Sequence, residues 1–319
     1  MKRPLIILTG PTAVGKTKLS IALAKRIGGE IVSADSMQVY KYMDIGSAKI
    51  TKKEMDEIPH HLIDILEPEE TFHVARFQEE AKKALEEIYA RKKIPIIAGG
   101  TGFYIQALLY DIDFQEEDLS EVYKKELEAI YVKEGAGKLY EMLQEVDSDY
   151  AHGVHQNNVR RVMRALTFYH MTGQKLSQHN EEQHQRSSPY QFVYFVLNDD
   201  RKCLYERINQ RVDAMVDEGL LGEVKNLWEM KLPKGATSMN GIGYKELFAY
   251  LSGETGLEEA IDTIKKETRH FAKRQITWFK REKEVIWLEK EEFHYNEEAI
   301  LEGICKVLYE KGIINESNI

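Results

Sequence analysis

Eight residues near the N-terminus, Gly10-Pro11-Thr12-Ala13-Val14-Gly15-Lys16-Thr17, follow the spacing G-x-x-x-x-G-K-[ST], and their flanks constrain the fold more than any other stretch. The apolar run Leu5-Ile6-Ile7-Leu8 before them reads as a buried parallel strand, and helix-forming sequence over 18–26 follows. Glycines let the loop turn so that the amides around Ala13, Val14 and Gly15 face inward, while the helix N-terminus adds positive potential. Lys16 supplies an ammonium and Thr17 a hydroxyl suited to Mg²⁺. Such a loop holds a polyphosphate. A chance glycine turn would leave the register of strand, loop and helix unexplained.

A chain of 319 residues, 43% of them hydrophobic, can build a core as one large domain or two of ordinary size. The apolar run at 5–8 is too short for a signal peptide and passes directly into the loop; no stretch has the length of a membrane span, so no membrane partner is expected. Cys203 and Cys305 lie far apart without metal-ligand spacing, which argues against a disulfide framework or a zinc site and for a reducing cytoplasmic setting.

Short apolar segments at 5–8, 31–34, 94–98, 192–197 and 285–288, separated by helical or polar sequence, predict a parallel α/β sheet. Helices are expected over 74–91, 155–171, 202–215 and 257–281. The interval 113–189 has no convincing strand, is dense in helix formers, and is bounded by the polar runs Gln115-Glu116-Glu117-Asp118 and Gln185-Arg186-Ser187-Ser188-Pro189. The expected organisation is a P-loop α/β core over 1–112 and 190–319, with C-terminal helices, and an inserted all-helical domain over 113–189 hinged at both ends.

A net charge of −9 argues against a strongly basic nucleic-acid binder but conceals local asymmetry. Between Lys265 and Lys283 eight Lys or Arg stand against two Glu, and Arg160, Arg161 and Arg164 form a second cluster. Positive patches on an acidic protein suit a polyanion held at one chosen place, although charge runs on helices are also ordinary solvated faces. Asp35, in Ser33-Ala34-Asp35-Ser36, stands at the carboxyl end of a strand, the edge where open α/β sheets bind ligands. It can take a proton from an attacking amine or hydroxyl, or simply cap a short helix. The segment 94–98 leads into Gly99-Gly100-Thr101-Gly102, where many P-loop ATPases place a magnesium-binding aspartate. Amides and a Thr101 hydroxyl suit a departing phosphate without activating water, and Thr101 can equally cap the helix that follows. Arg207 and Arg211 share a helical face, so that one can reach the anion. Asn240-Gly241-Ile242-Gly243-Tyr244-Lys245 is a glycine-punctuated turn suited to close backbone approach. Lys273 and Arg274 interleave with Phe271, Trp278 and Phe279, a mixture usable for RNA contact, although helical spacing of the aromatics favours core packing.

Together these residues resemble the tRNA dimethylallyltransferase family from end to end. Besides Gly10 to Thr17, the resemblance rests on Asp35-Ser36 with Gln38-Val39-Tyr40, Met43-Asp44-Ile45-Gly46-Ser47-Ala48-Lys49, Pro59-His60-His61-Leu62-Ile63-Asp64, Gly99 to Tyr104, Gly241 to Lys245, and Ala272-Lys273-Arg274-Gln275-Ile276-Thr277-Trp278. Ser47, where threonine is usual, and Val159-Arg160, where proline and a polar residue are frequent, depart from the pattern. The zinc finger that eukaryotic members often append is missing, which implies a bacterial-type enzyme. The resemblance implies transfer of a dimethylallyl group from dimethylallyl diphosphate to the exocyclic amine of the adenosine next to the anticodon (position 37) of tRNAs reading codons that begin with U.

It also implies roles. The loop residues Gly10, Pro11, Thr12, Ala13, Val14, Gly15, Lys16 and Thr17 would hold the diphosphate, with Mg²⁺ at Thr17. Asp35 would take the amine proton, and Lys16, Thr17, Thr101 and Arg211 would neutralise the leaving group. Ser36, Met37 and Gln38 would line the base pocket, with Thr101, Gly243 and Lys245 also on the tRNA side. Arg160, Arg161, Arg164, Lys273 and Arg274 would grip the anticodon stem-loop backbone. A monomer is expected. The rivals are a P-loop small-molecule kinase, an adenylate isopentenyltransferase, and an RNA-binding protein with a relic loop.

Overall fold

The computed structural model describes residues 2–114, 121–233 and 235–316; the polar run at 115–118 lies outside them. Contacts divide the chain into two compact units, Met1–Leu109 with Pro189–Ile319, and Tyr110–Ser188.

The first unit is built on a sheet of six described strands: β1 (Arg3–Thr9), β2 (Glu30–Ala34), β3 (His60–His61), β4 (Pro95–Gly99), β5 (Tyr190–Asn198) and β6 (Val285–Glu289). Their order is β3-β2-β4-β1-β5-β6, and every pairing is parallel. Strand β1 is central, and Leu5, Ile6, Ile7 and Leu8 are fully buried, as a strand covered on both faces requires. The two-residue edge strand β3 carries no apolar run and was not foreseen. Helix α1 (Lys16–Ile27) turns Leu19, Leu23, Ala24 and Ile27 to the core at helical spacing. It starts at Gly15 and stops at Gly28, both with positive φ, which only glycine adopts without strain.

Register places the site. Thr9 pairs with Gly99, and Gly99 pairs with Ala34, so the loop after β1, the turn after β4 and Asp35 after β2 leave one sheet edge side by side. At a strand spacing of about 4.8 Å, the outer two exits stand about 10 Å apart, a span suited to a diphosphate and an acceptor. Helices α2 (Val74–Ala90) and α3 (Gly102–Leu109) follow β3 and precede the second unit.

The second unit holds α4 (Glu121–Val146), α5 (Ser148–His152), α6 (Val159–Thr172) and α7 (Leu176–Gln185), with no strand among the described residues. Gly135, with φ 81°, breaks α4 in two. Leu127, Leu139, Leu143, Val162 and Leu166 form its core. Asp147 is 1% exposed, caps α5 through the Tyr150 amide and takes the Ser177 amide at 2.8 Å, so its desolvated carboxylate is satisfied. Helix α6 starts at Val159, not at His155 as periodicity predicts. The His155 ring takes the Asn157 amide at 3.2 Å, a local bond that competes with the helical ladder and makes 155–158 a turn.

Beyond the insertion the first unit continues with α8 (Arg201–Asp217), α9 (Leu220–Glu229), α10 (Tyr244–Leu251), α11 (Leu257–Phe279) and α12 (Glu297–Glu310).

Candidate active site

A cleft of about 710 Å³, open mouth included, lies at the carboxyl edge of the sheet. Its floor holds the P-loop residues Thr12, Lys16 and Thr17, and its other walls bring Asp35, Gln38 and Arg211. Parts of the chain about two hundred positions apart therefore share one space.

The loop geometry follows from its glycines. Gly10 has φ 149°, and a Cβ there would lie 2.2 Å from the Leu197 carbonyl oxygen, so β5 packs against it. Ala13 and Gly15 also take positive φ, and Val14 is anchored in the core. Lys16 Nζ donates to the carbonyls of Gly10 at 2.9 Å and Pro11 at 2.7 Å. Lys16 is pushed down to about 7, first by burial and then by the neighbouring Arg211 guanidinium, with Asp35 opposing the change. Burial likewise lowers Arg211, with Asp35 the leading opposing charge. Thr17 is exposed at the first turn of α1.

Asp35 uses one oxygen to hold its own turn. Its Oδ1 accepts the amides of Met37 at 2.8 Å and Gln38 at 3.2 Å. This is an Asx turn, not the start of a helix, so the capping alternative is half right. No described hydrogen bond occupies Oδ2. Ser36 and Met37 are not among the cleft-lining residues; Met37 packs against Gly241.

Arg207 and Arg211 part company despite their shared face. Arg207 is bound to Asp199, which also accepts the Tyr295 hydroxyl, whereas Arg211 lines the cleft. The turn after β4 is glycine for steric reasons as well as chemical ones. A Cβ on Gly99 would meet the Ala34 carbonyl at 2.4 Å, and one on Gly100 would meet Gln275 Nε2 at 2.1 Å. Thr101 does not line the cleft; its backbone bonds Ala34 and caps α3 through the Tyr104 and Ile105 amides.

None of the remaining expected tRNA contacts is among the cleft-lining residues. Gly243, with φ 97°, starts α10, its amide bonded to the buried Glu246, while Lys245 is exposed with Nζ 3.4 Å from Glu246. Lys273 and Arg274 are exposed on α11, with Arg274 over the Phe271 ring. The aromatics divide: Phe279 is fully buried, Phe271 lines the cleft, and Trp278 packs on Phe103. Two members of the basic run are absorbed by α8, Lys265 by Asp213 and Arg269 by Asn209. Arg160, Arg161 and Arg164 are exposed on α6 of the second unit.

Two of the cleft residues without a site role in the sequence reading, Gln275 and His60, have partners that define their place. Gln275, 5% exposed, accepts the Thr12 amide at 2.8 Å and donates to the Gly100 carbonyl at 3.0 Å, tying the P-loop to the turn after β4. His60 bonds the Ile58 carbonyl through Nδ1 at 2.8 Å, and burial lowers its imidazole, so the neutral ring carries its proton on Nδ1. Both stand within the motifs quoted above, the one signal that could have singled them out.

Sheet order, loop and cleft define a P-loop α/β protein with an inserted helical unit. Residues 38–282 match the family model described as IPP transferase, and the chain belongs to that family. It is 55% identical over 312 residues to a tRNA dimethylallyltransferase from Lachnoclostridium phytofermentans, covering 98% of this chain and 99% of the relative. A protein of the same name from Bacillus pumilus is 50% identical over 288 residues, 90% of each chain. Among solved structures, the full-length tRNA isopentenylpyrophosphate transferase of Bacillus halodurans is 43% identical with a TM-score of 0.73, covering 98% of both chains. A eukaryotic dimethylallyltransferase acting on tRNA is 32% identical with a TM-score of 0.78, covering 90% of this chain and 74% of that one. Among the described residues no helix is long and apolar enough to cross a membrane.

Proposed function

We infer that this chain is a tRNA dimethylallyltransferase. It moves a dimethylallyl group from dimethylallyl diphosphate to the exocyclic amine of the adenosine next to the anticodon, in tRNAs reading codons that begin with U, and releases pyrophosphate. The observation that carries the chemistry is one cleft holding two desolvated cations, Lys16 and Arg211, with the Asp35 carboxylate. The amine nitrogen forms a bond to the allylic carbon while the carbon–oxygen bond breaks, its electron pair leaving with pyrophosphate. The amine proton passes to Asp35, whose Oδ1 is fixed by two amides so that Oδ2 is left for the substrate. The loop amides, Lys16 and Arg211 stabilise the charge gathering on the leaving oxygens. Strand β4 ends in Gly99, and Gly100 follows, where a carboxylate would activate water.

Mg²⁺ would be held by the Thr17 hydroxyl, exposed at the first turn of α1. No cluster of three His, Cys, Asp or Glu able to hold a metal occurs among the described residues, so most of the ion's oxygens would come from diphosphate and water, as Mg²⁺ prefers. The ion would supply further charge neutralisation at the pyrophosphate. We assign the exposed Arg160, Arg161, Arg164, Lys273 and Arg274 to the tRNA backbone, and the cytoplasm as the setting, in keeping with the free thiols of Cys203 and Cys305.

The test is acceptor choice. Purified protein with dimethylallyl diphosphate and Mg²⁺ is offered bulk tRNA, AMP, or ATP with small acceptors. Transfer to tRNA without nucleotide is expected. Prenylation of AMP in preference to tRNA, or a requirement for ATP hydrolysis, would overturn it.

A further inference from the structure

The Glu223 carboxylate on α9 collects four donors from distant parts of the chain. Oε2 accepts the amides of Asp44 at 2.8 Å and Ile45 at 2.7 Å; Oε1 accepts the Gly46 amide at 3.0 Å and the Tyr244 hydroxyl at 2.7 Å. Consecutive amides converging on one anion form a nest, the arrangement that elsewhere binds phosphate. Here the protein's own carboxylate fills it. Tyr244, 1% exposed, closes the assembly: a Cβ on Gly46 would lie 2.6 Å from its ring, so only glycine fits.

The nest is the first link of a bonded chain into the cleft. After Gly46 come Ser47 and Ala48, whose carbonyls each accept Gln38 Nε2 at 3.2 Å, and the Gln38 amide is one of the two held by Asp35. Lys49, its side chain 4% exposed, clamps the far end of the loop through Asp44 and the Tyr40 carbonyl, each at 2.6 Å. Ser47, Ala48, Gln38 and Asp35 all line the cleft. The diphosphate end has a separate tie, Gln275 between Thr12 and Gly100.

We propose that Glu223 is a positioning residue for the acceptor: by filling the amide nest at 44–46 it holds the wall of Ser47, Ala48 and Gln38 in register with Asp35 before the target base enters. This rests on the reading that the adenine enters beside Asp35. Without the carboxylate, three amides and a tyrosine hydroxyl lose their acceptor and the base must order the wall itself. The loss falls on the tRNA parameters and spares the donor.

The experiment measures steady-state kinetics with tRNA varied at saturating dimethylallyl diphosphate, and donor affinity separately, for wild type, Glu223→Ala and Glu223→Gln. For Glu223→Ala, kcat/KM for tRNA should fall about 100-fold, the size of effect that follows a wall misplaced by about 1 Å. Donor affinity should stay within about twofold, because the diphosphate contacts are intact. Glu223→Gln keeps the shape with a weaker acceptor set and should lose about tenfold, which guards against misfolding of the alanine variant. Formate, small enough for the nest, should restore activity to Glu223→Ala and do nothing for wild type. Unchanged tRNA kinetics, donor affinity falling in step, or no rescue by formate would each overturn the proposal. A wild type inactive on tRNA would instead overturn the functional reading beneath it.

Discussion

Cations are treated in opposite ways in two regions of this molecule. In the cleft, Lys16 bonds two backbone carbonyls, neither it nor Arg211 forms an ion pair among the described residues, and burial lowers both. On α6, Arg160, Arg161 and Arg164 stand exposed, while Val162, Ala165 and Leu166 behind them are buried. Desolvating a cation is costly unless an anion comes to it, so the cleft is built for one defined charge in one place. Solvated arginines cost little, act additively and are screened by salt, which suits a long polyanion gripped at several points. On the proposed function, the same charge would serve chemistry in one region and docking in the other.

The largest effect expected from breaking this division comes at Asp35, the carboxylate that shares the cleft with the half-buried Lys16 and Arg211. Asp35→Ala should lose turnover by about 10²–10⁴, the range for a general base, with tRNA affinity held within a few-fold. Single-turnover transfer and equilibrium tRNA binding measure the two separately, and near-normal turnover would reduce Asp35 to a turn former.

Lys16→Ala should weaken diphosphate binding by about 10–100-fold, the scale of charged hydrogen bonds worth 1.5–3 kcal/mol. The pH dependence sharpens this. Lys16 sits near 7 in the free protein, and a bound diphosphate raises it. Affinity from this lysine is therefore full below pH 7, is lost as pH rises through 7 towards the bound value, and binding at pH 8 takes up a proton. Calorimetry in two buffers of different ionisation enthalpy reads the uptake. Lys16→Arg, which stays charged, should abolish it.

Neutralising Arg160, Arg161 and Arg164 together should weaken tRNA binding by about tenfold and lower the slope of log affinity against log salt by about two to three, since fewer counterions are released. Diphosphate affinity, measured beside it, should not move. An unchanged salt slope would make α6 an ordinary solvated face.

The smallest effect is expected at Arg207, one helical turn from Arg211 and matched to it by sequence alone. Because its guanidinium is bound to Asp199, Arg207→Ala should lower thermal stability yet change donor affinity by less than about twofold, whereas Arg211→Ala should cost it about tenfold or more. Equal losses of donor affinity would erase the distinction between them.

The P-loop was legible because its conformation is local. Gly10 and Gly15 take positive φ, as glycines that let the loop turn can, and the helix expected over 18–26 forms, opening two residues earlier at Lys16. Five strands of the sheet were legible for the same reason, their apolar runs forming β1, β2, β4, β5 and β6. Strand β3 escaped because two histidines at a sheet edge leave no periodic signal. The start of α6 was misplaced because a His155 side chain takes a backbone amide that the pattern assigns to the helix.

By itself, then, the sequence determined what short-range physics controls: the loop, the strands that flank it, the helices with apolar faces, and the residue types available for phosphate and proton. Only the tertiary structure decided which of these meet. It turned Arg211 into the cleft and gave Arg207 to Asp199, left Thr101 out of the cleft, and brought Gln275 to Thr12 across 263 positions and Glu223 to Asp44 across 179. The reason is that a hydrogen bond between distant residues has no period and no local propensity to announce it. It exists because strand register and helix packing place a donor within about 3 Å of an acceptor, a condition set by the whole core and by no segment of it.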